Sequence, residues 1–138
     1  MASTLTLENK SDWEDLRQDG KVIGRRVKLS YSSSGAPSTV SATLPLEGVL
    51  SRIHLVFGGT KPTNTTTLLE VFHPKGSTSG TDILGGSGTV DTTNADYPIH
   101  VNLDQPLKNQ IYGNATLQIS GDAASGSSMT IWVEYLFI

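Results

Sequence analysis

Three histidines, His54, His73 and His100, are the candidates for acid–base or metal chemistry in a 138-residue chain that contains no cysteine. None makes an HxH, HxxxH or HExxH spacing, the patterns that bring two imidazoles to one metal ion. Serine is plentiful, but Ser77-Thr78-Ser79-Gly80 and Ser125-Gly126-Ser127-Ser128 have the composition of loops. No G-x-S-x-G elbow presents a nucleophile. Gly85-Gly86-Ser87-Gly88 has the glycine content of a phosphate cradle and lacks the lysine and following helix of a P-loop, so it reads as a turn. Asp82 and Asp91 flank it. A cation between them is one reading; an Asp82 that caps a turn, with Asp91 in solvent, is the simpler one. Arg25, Arg26 and Lys28 form the one basic cluster, either a solvated strand face or a patch for an acidic partner surface. No catalytic residue, cofactor or metal is therefore assigned, and the chain is expected not to be an enzyme.

The elements that place these residues follow from hydrophobic periodicity. From Lys21 onward the pattern has period two, broken by Gly, Ser, Pro and Asn. Lys21–Tyr31 sets Ile23, Val27, Leu29 and Tyr31 on one side, with Arg25 interrupting the row. Ser38–Leu46, Leu50–Phe57, Thr66–His73, Tyr97–Leu103, Ala115–Ser120 and Ser128–Ile138 alternate in the same way. Strict alternation marks half-buried strands, and β-branched Thr and Val suit a pleated surface. Seven or eight strands without long helical stretches between them predict an all-β, single-domain antiparallel β-sandwich over 21–138. Eight strands in two sheets is the jelly-roll count; an immunoglobulin-like sandwich is the alternative.

Residues 1–20 differ. They are acidic, and Ser11-Asp12-Trp13-Glu14 has the form of a capping box, which predicts a short helix over Asp12–Gln18 stopped by Gly20. Trp13 and Leu16 would share one helix face. They either dock on a neighbouring surface or seal one end of the domain. Met1–Lys10 has neither the basic region nor the apolar core of a secretory signal, so synthesis in a cytoplasm is expected.

The last strand carries the clearest signal. Met129, Ile131, Val133, Tyr135 and Phe137 make one apolar face, yet the opposite face holds Trp132, Leu136 and Ile138 beside Thr130 and Glu134. A solvated face would not carry these residues, so either another part of the chain or a subunit interface covers it.

Composition narrows the function further. Ten basic against thirteen acidic residues give a net charge of -3, which leaves no basic footprint for nucleic acid. No apolar run reaches the ~18 residues of a membrane span. Sixteen serines and sixteen threonines fit strands and polar turns.

The stretch Gly80-Thr81-Asp82-Ile83-Leu84-Gly85-Gly86-Ser87-Gly88, then Tyr97-Pro98-Ile99, then the terminal Tyr135-Leu136-Phe137-Ile138 resembles the small jelly-roll cement or decoration proteins of tailed bacteriophage capsids. The resemblance covers roughly 44–138 and leaves out residues 1–20. It implies a non-enzymatic structural protein, made in the host cytoplasm, that sits on the capsid exterior of the virion. There it would bind the major capsid protein and clamp neighbouring subunits as a homo-oligomer, dimer or trimer. Trp13, Leu16, Arg25, Arg26, Trp132, Leu136 and Ile138 are the residues expected at its partner or oligomer interfaces. The alternative is a carbohydrate-binding β-sandwich module that stacks sugars on Trp13, Trp132, Tyr31, Tyr97 or Tyr112. A hydrolase with a cross-strand His and Asp is the third reading.

Overall fold

Alternating sequences become sheets only when each apolar face finds another to cover it. The computed structural model shows how this chain does so, and it describes residues 3–45, 48–62, 67–73, 81–84, 90, 96–100, 110–111, 115–122 and 124–137. Among them the strands in chain order are β1 (Thr4–Leu7), β2 (Glu14–Gln18), β3 (Lys21–Ser32), β4 (Thr39–Leu44), β5 (Gly48–Phe57), β6 (Leu68–His73), β7 (Thr81–Asp82), β8 (Asp96–His100), β9 (Gln110–Ile111), β10 (Ala115–Ser120) and β11 (Ser128–Leu136). Each of the seven segments expected from period-two alternation overlaps one of them.

The larger sheet, sheet A, runs β3–β11–β5–β8, with β1 and β2 following one another along the outer edge of β3 and β9 pairing with the start of β5. Sheet B runs β4–β10–β6–β7. The partners are nested: β3 pairs with β11, β4 with β10, β5 with β8 and β6 with β7, all antiparallel. A long ribbon folded back on itself and wound into two facing sheets gives this order, and it is the jelly roll.

Val27 and Leu29 of β3, Ile53 and Leu55 of β5, and Ile131 and Val133 of β11 are fully buried. They share one core with Leu69 and Val71 of β6 and Leu117 and Ile119 of β10. Burying each large side chain contributes about 1.5–3 kcal/mol. A bulge keeps this core continuous. Glu134 pairs with Arg52 and Tyr135 with Leu50, so Ser51 is extra on β5. The extra residue lets both Leu50 and Ile53 point inward, where simple alternation would send them to opposite faces.

The helix expected over Asp12–Gln18 is not formed. Residues Lys10–Asp12 make a single 3-10 turn, and Glu14–Gln18 is strand β2. Asp19 and Gly20 both have positive φ, 52° and 78°, and join β2 to β3 by a two-residue turn. Asp-Gly is the favoured sequence for such a turn because its twist matches that of the strands. The hairpin therefore overrides the capping pattern, and the Glu14 carboxylate reaches across to Arg26 instead of back to Ser11. The segment 1–20, expected as an acidic stretch with a short helix outside the sandwich, thus contributes β1 and β2 to sheet A.

Candidate functional site

Cross-strand partners in an antiparallel sheet present their side chains on the same face. Following the register across sheet A therefore shows what its outer face displays. Glu14 of β2 lies beside Arg26 of β3, Arg26 beside Glu134 of β11, and Glu134 beside Arg52 of β5. The result is a row of four alternating charges across four strands. Arg26 Nη1 donates to Glu14 Oε2 at 2.8 Å, and Arg52 Nε donates to Glu134 Oε2 at 2.5 Å. The other Glu134 oxygen is 3.9 Å from Arg26 Nε. Glu134 is only 7% exposed, which an ionised carboxylate tolerates because a guanidinium stands on each side.

One row toward the loop end, Lys28, Trp132 and His54 are level with one another. The Arg26 guanidinium lies over the indole of Trp132, 4.5 Å from the ring centroid, and Lys28 Nζ is 5.5 Å from it. Cations over the electron-rich ring face hold the tryptophan in place. Arg26 Nη2 is also 3.4 Å from His54 Nδ1. In the opposite direction the row is apolar: Leu16, Gly24, Leu136 and Val49. Gly24 is required here, since a Cβ would come within 2.2 Å of the Tyr135 carbonyl oxygen. The backbone of β11 thus closes over Gly24, while the Leu136 side chain remains 37% exposed.

Of the residues singled out in the sequence, the structure brings Arg26, Trp132, Leu136 and Leu16 onto this one face. Arg25 is on the opposite side of β3, 3.8 Å from Asp15 and over the ring of Phe137. Trp13 packs against the core and donates its indole N–H to the Glu8 carbonyl at 3.0 Å, so it seals the domain. Ile138 lies outside the described residues. Glu14, Glu134 and Arg52 were not expected at the site. Each stands at a polar position of its strand, and only the register shows that they are aligned. On the terminal strand's second face, another part of the chain covers Trp132, through the Arg26 guanidinium of β3, while Leu136 stays 37% exposed.

A second buried polar cluster is at the loop end of the sandwich. Asp122, 1% exposed, accepts from the Tyr31 hydroxyl at 3.0 Å, from the Ala124 amide at 3.0 Å and from the Ser127 hydroxyl. Burial, reinforced by the Asp122 carboxylate, pushes the Tyr31 hydroxyl up to about 12. These bonds tie the β10–β11 connection to β3. Asp82 accepts from the amides of Val71 and Leu84 at 3.1 and 3.0 Å, which makes it the turn cap of the simpler reading. Asp91, Gly85–Gly88, Ser77–Gly80 and Tyr112 lie outside the described residues.

Among the described residues no group of three or more His, Asp or Glu side chains is placed to hold a metal ion. No described helix is long and apolar enough to cross a membrane. A hollow of about 230 Å³ lies beside Ser30, Phe57, Ser128 and Thr130. It is smaller than the ~300–1,000 Å³ of most small-molecule sites. For sugar stacking, the Arg26 guanidinium would first have to leave the Trp132 ring. Among the described residues, the outer face of sheet A is thus where Leu16, Arg26, Trp132 and Leu136 come together. No family model matches the chain, and no curated protein or solved structure matches it either.

Proposed function

We propose that the protein is a structural cement or decoration protein that binds the outside of a bacteriophage capsid and stabilises contacts between major capsid protein subunits. It acts as a homo-oligomer, dimer or trimer, made in the host cytoplasm and carried on the virion exterior, without enzymatic activity and without binding nucleic acid or membrane. The observation that carries this reading is the outer face of sheet A, where a flat array of paired charges, an aromatic ring and exposed leucine is built on rigid strands. Such a face suits protein–protein contact: aromatic and Arg residues are enriched at interfaces. The jelly roll agrees with it, since this architecture recurs in capsid proteins.

The test is to mix the purified protein with phage shells that lack it. It should co-sediment with intact shells and raise the temperature at which they break open. Protein that stays in the supernatant at every concentration, with shell stability unchanged, defeats the proposal.

A further inference from the structure

The row of charges on sheet A reads minus, plus, minus, plus from β2 to β5. Such a row has a property that neither a plus-minus-minus-plus row nor a like-charged one has. Turned by 180° about an axis that runs along the strands between β3 and β11, it presents the opposite sign at every position. We infer that the outer face of sheet A is self-complementary and takes a second copy of this chain in a two-fold, face-to-face dimer.

The operation keeps each row level and reverses the strand order, so the pairings are fixed. Glu14 meets Arg52 of the partner copy, and Arg26 meets its Glu134. The adjoining rows obey the same operation without having been used to choose it. Leu136, exposed on β11, comes opposite Gly24, which has no side chain of its own. Lys28 comes opposite Trp132, so the ring that already attracts cations within its own chain meets another from the partner copy. In an isologous contact every such pairing occurs twice.

Magnitudes set the strength. Strands are ~4.8 Å apart and same-face neighbours ~6.8 Å apart, so four strands by three rows give a footprint of about 400 Å² per copy. That is below the ~800 Å² per partner of a standard interface, which predicts a weak, reversible dimer. Packed sheets cross at about 30°, a rotation that leaves the two central strands in register and displaces the outer two by about 4 Å, within reach of Glu and Arg side chains. The Glu14 and Arg52 side chains, 56% and 40% exposed, have the most charge left to pair. The attraction should weaken with salt.

This inference rests on the homo-oligomer part of the proposal above and not on the shell. Sedimentation equilibrium of the full chain should show a monomer–dimer exchange that shifts toward monomer as salt is raised. Glu14→Arg alone and Arg52→Glu alone each place like charges together twice and should weaken the dimer at least ~10-fold. Mixed, the two variants recover opposite charges at both positions and should form a heterodimer as strong as the wild-type dimer. Because Arg52→Glu also disturbs Glu134, its fold is checked by circular dichroism. If it fails to fold, Glu14→Arg and Leu136→Lys, both on exposed side chains, decide the matter: each should dissociate the dimer. A wild-type chain that is monomeric at its highest soluble concentration, a trimer, or variants that associate like wild type would overturn the inference. Dimerisation without shell binding would defeat the shell reading alone.

Discussion

Among the described residues two carboxylates are nearly lost to solvent, and they are held in different ways. Glu134 sits in the middle of sheet A's outer face between two guanidiniums, one of them 40% exposed. Asp122 sits at the loop end among two hydroxyls and an amide, with its tyrosine partner itself buried. The first arrangement remains electrically open, because its cations reach the surface and can be shared with another molecule. The second is closed: its neutral donors are used up within the chain. A buried charge by itself therefore does not mark a functional site here. The accessibility of its counter-charges does.

The widest separation between the two regions comes from deleting each carboxylate. Asp122→Ala leaves two hydroxyls and an amide without their acceptor inside the protein, and should lower unfolding stability by about 3 kcal/mol in urea titrations, with little dependence on salt. Glu134→Ala leaves two arginines that can partly rehydrate, so a smaller loss of about 2 kcal/mol is expected, together with loss of self-association. Equal losses, or a larger one at Glu134, would erase the distinction between a closed and an open cluster.

Alkaline pH separates the regions next. The Tyr31 hydroxyl is raised from 10.0 to about 12 in the folded protein, so the native state favours its protonated form. The stabilisation is present in full below pH 10 and is lost as pH rises through about 12. Absorbance titration should show one of the four tyrosines ionising last, and Tyr31→Phe should remove that component of alkaline unfolding. The smallest effect is expected on the outer face of sheet B, where Gln118 donates to Glu70 at 3.4 Å between half-buried side chains. Gln118→Ala should stay within about 0.5 kcal/mol of wild type. A larger change there would mean that sheet A is not the only face with coupled polar groups.

The strands were legible in the sequence wherever alternation was long enough. β3, β5 and β11 each bury residues at alternate positions, and their apolar residues announce it. β2 was not legible, because Leu16 is its single apolar residue and its strand character comes from pairing with β3. The Asp19-Gly20 turn was the available signal, and the capping pattern at Ser11–Glu14 pointed the other way. Trp132 and Arg26 stood out individually. Their alignment with Glu134, Arg52 and Glu14 was hidden, because register depends on bulges such as the one at Ser51 and on which strands become neighbours. Neither is encoded within a single strand.

The nested pairing has a kinetic consequence. β11 is the central strand that bridges β3 and β5, yet about a hundred residues of chain separate it from β3. Until it arrives, two long strands lack their common neighbour, with open edges and uncovered apolar faces. Sheet A therefore closes late, in a step dominated by contacts distant in sequence, and folding should fall in the slow range of milliseconds to seconds typical of such topologies. The same delay makes the ribosome-bound or truncated chain the form most prone to wrong pairing. An identical chain nearby, with its own β11 already made, is the obvious donor for a strand exchange.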